Sequence, residues 1–269
     1  MHILVTNDDG VMAPGLLALA QAMRQVGDVS VVAPERNWSG SGHVKTLHNP
    51  LRVREVTLAD GSPALCSDGA PSDCVALALM GVINRPVDMV VSGINPMANL
   101  GHDVTYSGTV TAAMESIIAG IPAIAFSLDG GEKGHGYLDY AAAARIARLI
   151  VRTALTNGLP KGVFLNVNVP YLPAEQIKGI QLTRKGLRIY RDELEKRQDP
   201  RGQYYYWISG QSPTGVPEKG TDFGALVEGY VSVTPLQLDL TAYHHMLGLS
   251  EWGWQNGNLP AAADNAPTT

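Results

Sequence analysis

The sequence contains very little cysteine. Its 269 residues include only two, Cys66 and Cys74, which are too few for a disulfide framework and lack the clustered spacing of a zinc site. We therefore expect two reduced thiols that are buried in the core.

Clusters of basic residues are also missing. The chain has 20 Lys and Arg against 25 Asp and Glu, which gives a formal net charge of −5, and the basic residues are scattered. Such a surface is poorly suited to a long run of phosphates, so we expect no nucleic acid polymer as a ligand. A small anion remains compatible with this charge, because backbone amides, helix N-termini and metal ions can bind one.

No apolar run is long enough to span a membrane. The most apolar segment, residues 117–128, is interrupted by Gly120 and Pro122. The amino terminus runs into Asp8 without the basic segment, apolar stretch and cleavage site of a secretory signal. We therefore expect no membrane partner and a cytoplasmic location.

From Met1 to about Val169, short β-branched runs alternate with helical patterns. This alternation is typical of βαβ units and predicts an α/β fold with a doubly wound, mostly parallel sheet. With 45% hydrophobic residues, the chain can bury a large core. The predicted strands are residues 3–6, 29–33, 89–92, 123–127 and 164–169, and the predicted helices are residues 15–26, 72–82, 109–119 and 138–155.

Two further regions depart from this alternation. Between residues 47 and 65 the pattern predicts antiparallel strands at one edge of the sheet. After Pro170, two predicted strands, residues 181–189 and 204–209, flank a charged stretch and form a protruding hairpin. A short helix at residues 222–227 and a strand at residues 230–234 are predicted to follow.

The predicted division of the chain has three parts. Residues 1–185 form the catalytic core, and residues 186–250 form the hairpin and a C-terminal oligomerisation segment. Residues 251–269 form a flexible tail, whose end has too few apolar groups to offset its chain entropy.

Three polar segments follow predicted strands, where open α/β sheets bind their ligands. The first contains Asp8 and Asp9, in a turn loosened by Gly10, so that both carboxylates can converge on one point. Two carboxylates at that spacing repel each other unless a cation lies between them. The alternative is that one carboxylate caps the next helix while the other is solvated, and the doublet alone does not decide between the two.

The second segment contains Ser39 and Gly40, together with Ser41 and Gly42. The glycines let the backbone approach a ligand closely, and the serines offer neutral oxygens. The alternative for this segment is an ordinary surface loop.

The third segment, residues 92–109, runs from a strand end to a helix start and includes Asn95 and Asn99. Ser107 is placed to cap the helix, which leaves the amides of Gly108 and Thr109 free to bind an anion. A capped helix behind a long polar loop would explain the same residues, but loops of this length are usually functional.

Four oxygen-bearing residues from these segments form a candidate metal site: Asp8, Asp9, Ser39 and Asn95. Hard donors with two negative charges suit Mg²⁺ or Mn²⁺ and suit zinc poorly. Such a metal would lower the pKa of a bound water and polarise a phosphate oxygen. The sequence therefore predicts hydrolysis of a phosphate ester.

As a set, these motifs resemble the SurE family of survival proteins, which are 5′/3′-nucleotidases. The matching segments are TNDDG (6–10) with APG (13–15), VAP (32–34) with SG (39–40), PSDCV (71–75), SGIN (92–95), YSGTV (106–110), LNVNVP (165–170) and GYVSVTPL (229–236). The resemblance covers nearly the whole chain up to the tail.

The resemblance implies a Rossmann-like three-layer αβα core. It also implies one Mg²⁺ or Mn²⁺ per subunit, bound by the four residues above, and hydrolysis of nucleoside 5′- and 3′-monophosphates, with short polyphosphate as a further substrate. Family members associate as dimers or tetramers through the hairpin and C-terminal elements. Met97 and Thr111 depart from the family pattern, which usually has Gly and a small residue there.

Our mechanistic hypothesis assigns catalysis to Asp8 and Asp9, one of which accepts a proton from the attacking water. The 107–109 turn and Asn99 hold the phosphate, with Asn95 and Gly40 beside it. His43 and His102 lie in the same loops and could protonate the leaving group, but we expect both to be exposed.

Three other functions are weaker interpretations of the same residues. A haloacid-dehalogenase phosphatase needs an Asp where this chain has Asn7, and a dinucleotide-dependent oxidoreductase needs a glycine-rich turn after the first strand. A non-catalytic nucleotide-binding stress protein stays open.

Overall fold

The computed structural model describes residues 1–130 and 138–252. Residues Met1–Gln237 form one compact unit, and the residues from Leu238 onward form a second. Of the predicted flexible tail, residues 251–269, the structure describes only residues 251 and 252, so the rest of that prediction lies outside the described residues.

Eleven strands and six α-helices make up the regular structure of the described residues. The strands are β1 (His2–Thr6), β2 (Asp28–Pro34), β3 (Val53–Thr57), β4 (Pro63–Ser67), β5 (Met89–Asn95), β6 (Ala123–Asp129), β7 (Val163–Pro170), β8 (Ile180–Leu182), β9 (Arg188–Gln198), β10 (Tyr204–Gly215) and β11 (Val231–Gln237). The α-helices are α1 (Pro14–Arg24), α2 (Pro71–Leu77), α3 (Gly108–Ile118), α4 (Ala141–Asn157), α5 (Asp222–Val227) and α6 (Tyr243–Ser250), the last of which lies in the second unit.

Nine strands form one sheet in the order β3-β4-β2-β1-β5-β6-β7-β11-β8. All neighbours are parallel except β3 with β4 and β7 with β11. Helix α1 packs with α4 and helix α2 packs with α3, and both pairs contact the sheet. The predicted three-layer αβα fold is confirmed, as are the antiparallel strands at one edge.

The core lies on both faces of the central strands. Every residue of β1 and β5 is buried, which explains their nearly continuous apolar sequences, because helices cover both sides of a parallel sheet. Cys66 and Cys74 are free and buried, as expected.

Helix α1 approaches β5 so closely that only glycine fits at its second residue. A Cβ atom added to Gly15 would lie 2.0 Å from the Ile94 carbonyl oxygen. This approach fixes the turn between β1 and α1, which contains Asp8 and Asp9, against the end of β5.

The predicted hairpin is present, and its second strand begins at residue 204 as predicted, but the position of its first strand was wrong. The first arm, β9, covers most of the charged stretch predicted as the connection, and residues 181–189 divide between β8, a gap and the start of β9. Most residues of β9 are exposed, so the arm lacks the alternation of apolar and polar residues that identifies a half-buried strand.

The base of the hairpin is tied to the loop that precedes α3. Arg188 Nε donates to Asp103 Oδ2 at 2.8 Å. Asp222 is fully buried, and its two carboxylate oxygens accept the backbone N–H groups of Gly101 (2.8 Å) and Gly186 (2.7 Å). The hairpin and the loop therefore share one set of contacts.

Two helical features were not predicted. Helix α2 ends earlier than expected and continues as a π-helical turn, Ala78–Val82, in which Gly81 has a positive φ. Helix α6 was missed because its apolar residues are exposed. No helix in the described part of the chain is long and apolar enough to cross a membrane.

Gly15→Ala should reduce the free energy of unfolding by at least about 2 kcal/mol, because the new methyl group meets a backbone oxygen that cannot move freely. Gly248→Ala is the matched control, since it adds a methyl group to a helix where no atom lies within 4 Å. Urea unfolding followed by circular dichroism measures both variants. Equal stability of the two would contradict the close packing of α1 on β5.

Candidate active site

The candidate site lies where the direction of strand addition reverses. The chain moves from β1 outward to β2 on one side, and from β5 outward to β6 and β7 on the other. Ligands bind at such switch points in open α/β sheets. Asp8 and Asp9 follow β1, and Asn95 ends the neighbouring strand β5, so the two predicted acidic ligands and the predicted amide ligand share this edge.

Asp8 joins three segments of the site, and only 3% of it is exposed. Its carboxylate accepts a hydrogen bond from the Thr109 hydroxyl group. Its main-chain oxygen accepts the N–H of Trp38 at 2.8 Å. A Cβ atom on Gly108 would lie 2.6 Å from the Asp8 Cβ. The end of β1, the loop after β2 and the start of α3 therefore meet at one side chain.

The start of α3 favours negative charge, as the sequence predicts. Ser107 is the N-cap, and its hydroxyl oxygen accepts the Val110 N–H at 3.2 Å. The backbone N–H groups of Gly108 and Thr109 stabilise the ionised form of Asp8. In this structure the anion at the helix start is therefore the Asp8 carboxylate.

Both carboxyl groups have raised pKa values. Burial raises the pKa of Asp8, against the hydrogen bonds from Thr109 and the helix start. Burial, followed by the negative charge of Asp8, raises the pKa of Asp9 from 3.8 to about 7. A bound cation reverses this effect, because it stabilises both ionised groups at once. The pair thus has the electrostatics of a cation site.

The donor set fits a hard divalent cation. Within residues 1–130 and 138–252, no three His, Cys, Asp or Glu side chains cluster at a spacing suitable for a metal. The Asp8 and Asp9 carboxylates would therefore be completed by neutral oxygens, which Mg²⁺ and Mn²⁺ accept readily together with water.

Ser39 and Gly40 lie in an exposed turn that is anchored on both sides. The Trp38 N–H bonds to Asp8, and the Gly42 N–H donates to the Tyr106 carbonyl oxygen at 2.9 Å. The Ser39 hydroxyl makes no hydrogen bond to any described residue, and Gly40 has a φ of +76° with open space around it. The hydroxyl is accessible to a ligand.

Asn95 is 9% exposed. Its Nδ2 donates to the Met97 carbonyl oxygen at 2.6 Å. This contact fixes the amide plane and leaves Oδ1 without a hydrogen bond to the described part of the chain. An amide oxygen held in this way can serve as a metal ligand.

Asn99 is held by polar side chains at the ends of β6 and β7. Its N–H donates to Asn168 Oδ1 (2.8 Å), and its carbonyl oxygen accepts from Nδ2 of Asn166 (2.8 Å) and of Asn168 (3.1 Å). Its own Nδ2 donates to the Ser127 hydroxyl at 2.8 Å. One Nδ2 hydrogen therefore remains available to a phosphate oxygen.

The two departures from the family pattern fit the loops without displacing them. The side chain of Met97 is exposed, and only its carbonyl oxygen contacts Asn95. The Thr111 hydroxyl donates to the carbonyl oxygens of Gly42 (3.1 Å) and Gly108 (3.3 Å). Thr111 thus adds a contact between α3 and the Ser39 loop, which we define as residues 37–46.

A cavity of about 380 Å³ opens beside Asp9. Its lining includes Met12, Pro14, Glu35, Pro96 and Tyr140. A larger cavity, of about 560 Å³, lies beside Asp129 and Pro170 but contains none of the predicted site residues. The smaller cavity is therefore the one that belongs to the candidate site.

Similarity to known proteins agrees with this geometry. The family model of the survival protein SurE matches residues 3–192. The chain belongs to the SurE family. A SurE protein of Herpetosiphon aurantiacus, named 5′-nucleotidase SurE, is 56% identical over 256 residues, which cover 95% of this chain and 100% of that protein.

Two further SurE proteins support the same assignment. A protein of Chloroflexus aggregans with the same name is 51% identical over 255 residues, which are 95% of this chain and 100% of its own length. The crystal structure of the SurE protein from Aquifex aeolicus has a TM-score of 0.79 and 43% identity, and covers 94% of this chain and 99% of that one.

Several contacts that build the site were not predicted from the sequence. The Trp38 amide and the Thr111 hydroxyl connect loops distant in sequence, and no local pattern identifies such contacts. Asn166 and Asn168 did carry a signal, because two buried amides at alternate positions of a central strand point to one face and need partners.

The raised pKa of Asp9 makes the stability of the metal-free protein depend on pH. The folded state holds this proton more tightly than the unfolded state, so the contribution of Asp9 to stability is greatest below pH 3.8 and is lost as pH rises toward 7. A shift of this size corresponds to roughly 4 kcal/mol, which partial exposure reduces. We expect Asp9→Asn to increase the free energy of unfolding in EDTA at pH 8 by about 1 to 3 kcal/mol.

Thermal unfolding in EDTA at pH 4 and at pH 8 measures this effect. The gain should disappear at pH 4, where wild-type Asp9 is protonated in the folded state. Asp192→Asn on the exposed hairpin is the control and should show no such difference. A gain of equal size at both pH values would contradict the assigned pKa.

Proposed function

We propose that the protein is a divalent-metal-dependent nucleotidase that hydrolyses nucleoside monophosphates to nucleoside and phosphate. The observation that supports this most strongly is the acidic pair beside the N-terminus of α3, in which Asp8 is buried and Asp9 is partly buried. The acidic pair attracts a cation and the helix N-terminus attracts an anion, and a metal-bound phosphate needs both. The nucleotidase names of the SurE relatives supply the substrate class.

Asp8, Asp9, Ser39 and Asn95 would hold one Mg²⁺ or Mn²⁺ per subunit. When bound, the metal supplies a water of lowered pKa and polarises a phosphate oxygen. Asp9 is the better candidate for accepting the proton of that water, because it lines the open cavity whereas Asp8 is bonded to Thr109.

Phosphate binding falls to the start of α3 and to Asn99. The amides of Gly108 and Thr109, which stabilise the Asp8 carboxylate in this structure, would serve the phosphate once a bound cation stabilises Asp8, and the second Nδ2 hydrogen of Asn99 adds a donor. Ser107 positions these amides as the N-cap. Gly40 leaves space for the substrate on the opposite side, because no atom lies near its Cα hydrogens.

We extend the proposal to the finer features that the resemblance to the family implies. The enzyme acts on 3′- as well as 5′-monophosphates and on short polyphosphate, and it works as a homodimer or homotetramer in the cytoplasm. The alternative is a non-catalytic nucleotide-binding protein, which would bind AMP without releasing phosphate. Phosphate release from 5′-AMP, 3′-AMP and tripolyphosphate separates these possibilities.

Asp8→Asn and Asp9→Asn should each lower kcat/KM for 5′-AMP by at least about 100-fold, because each removes a charged ligand and Asp9→Asn also removes the base. Steady-state phosphate release at saturating Mn²⁺ measures the loss. Asp192→Asn, which removes a charge from the hairpin, is the control. A folded Asp8 or Asp9 variant with wild-type turnover would refute the site.

Metal removal should abolish activity reversibly. EDTA treatment followed by gel filtration is expected to leave a folded protein that releases no phosphate. Excess Mn²⁺ or Mg²⁺ should restore the original rate, and Zn²⁺ should restore little of it, because the donor set contains no nitrogen or sulfur. Full activity in the stripped protein would exclude metal dependence.

A further inference from the structure

A buried carboxylate on α3 lies outside the site described so far. Glu115 is 6% exposed. Its Oε2 lies 2.9 Å from His43 Nε2, and its Oε1 accepts Lys45 Nζ at 3.0 Å. Both partners belong to the Ser39 loop. The mechanism proposed above uses none of these three residues.

The position of Glu115 on the helix relates it to the candidate site. Residues 108, 111 and 115 recur at helical spacing and so share one face of α3. Gly108 contacts Asp8, and Thr111 bonds to the Gly42 carbonyl oxygen. Glu115 completes the row by contacting His43 and Lys45. One face of α3 therefore contacts Asp8 at its start and the Ser39 loop further along the helix.

Burial makes these contacts energetically important. A carboxylate out of water is costly unless charged or hydrogen-bonding partners compensate for the lost solvation. Lys45 is 53% exposed, so water screens its contribution, whereas the His43 side chain is 30% exposed. Loss of His43 should therefore destabilise the Glu115 carboxylate more than loss of Lys45 would.

The other anchors of the loop lie at its two ends or bind its backbone, as the Thr111 and Ser72 hydroxyl groups do at the carbonyl oxygens of Gly42 and Val44. At one end the Trp38 N–H bonds to Asp8 at 2.8 Å. At the other end Thr46 donates through its N–H and its hydroxyl to the Asp73 carboxylate, at 2.9 and 2.7 Å. His43 is the side-chain anchor nearest to Ser39 among the described contacts that reach α3.

We propose that His43 and Glu115 are positioning residues that hold the Ser39 loop against α3 and thereby set the affinity of the site for its divalent cation. This inference rests on the proposed function, in which Ser39 is a metal ligand. His43 acts here through the loop and does not serve as an acid toward the leaving group, because its Nε2 is engaged by Glu115.

Isothermal titration with MnCl₂ in the absence of substrate tests the inference. We expect His43→Ala to weaken Mn²⁺ binding by about 10-fold, the lower end of the effect of removing a residue that supports a metal ligand. At saturating Mn²⁺, kcat should stay within about 2-fold of wild type, because the reacting groups are unchanged.

Three further variants sharpen the result. His43→Gln should recover most of the affinity, since its amide N–H can still reach Glu115. In a double-mutant cycle, Glu115→Gln should add little to His43→Ala, because the two act as one unit. His48→Ala is the matched control, because His48 is exposed, lies just beyond the end of the loop and makes no described hydrogen bond.

Each alternative outcome is distinct. Wild-type Mn²⁺ affinity in folded His43→Ala overturns the positioning role and leaves the proposed function intact. A large fall in kcat with unchanged Mn²⁺ affinity also overturns it, and indicates a catalytic acid. If the wild-type protein binds no Mn²⁺, both the proposed function and this inference fail.

Discussion

The site depends on keeping two neighbouring carboxyl groups together, one buried (Asp8) and one partly buried at the edge of a cavity (Asp9). Asp8 and Asp9 lie at the end of a fully buried strand, and burial raises both pKa values. The start of α3, the Thr109 hydroxyl group and, as we propose, a bound cation offset the free-energy cost of burying these charges. Such an arrangement stores electrostatic free energy that ligand binding can release.

Close backbone approaches make the arrangement possible. Gly15 brings α1 onto β5, and Gly108 brings α3 onto Asp8, at distances where any side chain would collide. Hydrogen bonds then connect the Ser39 loop to both the acidic pair and α3. The loops of the site are therefore long in sequence, but their contacts restrict their conformational freedom.

The sequence was sufficient for the general fold and for the location of the acidic pair. Buried parallel strands have a strong apolar signature, and a carboxylate doublet after the first strand can be placed from topology alone. The hairpin arm β9 was misplaced because exposure on both faces removes that signature. The contacts of Asn99 and Glu115 could not be predicted, since they join residues from separate elements.

Residues outside the catalytic loops can still control their shape. Asp222 accepts hydrogen bonds from Gly101 and Gly186, and Arg188 at the root of the hairpin bonds to Asp103. Movement of the hairpin about its base would break these bonds, and the loop that precedes α3 would then lose the same partners. The hairpin and that loop are consequently held by the same bonds, so a partner that displaced the hairpin would also disturb the loop that precedes α3.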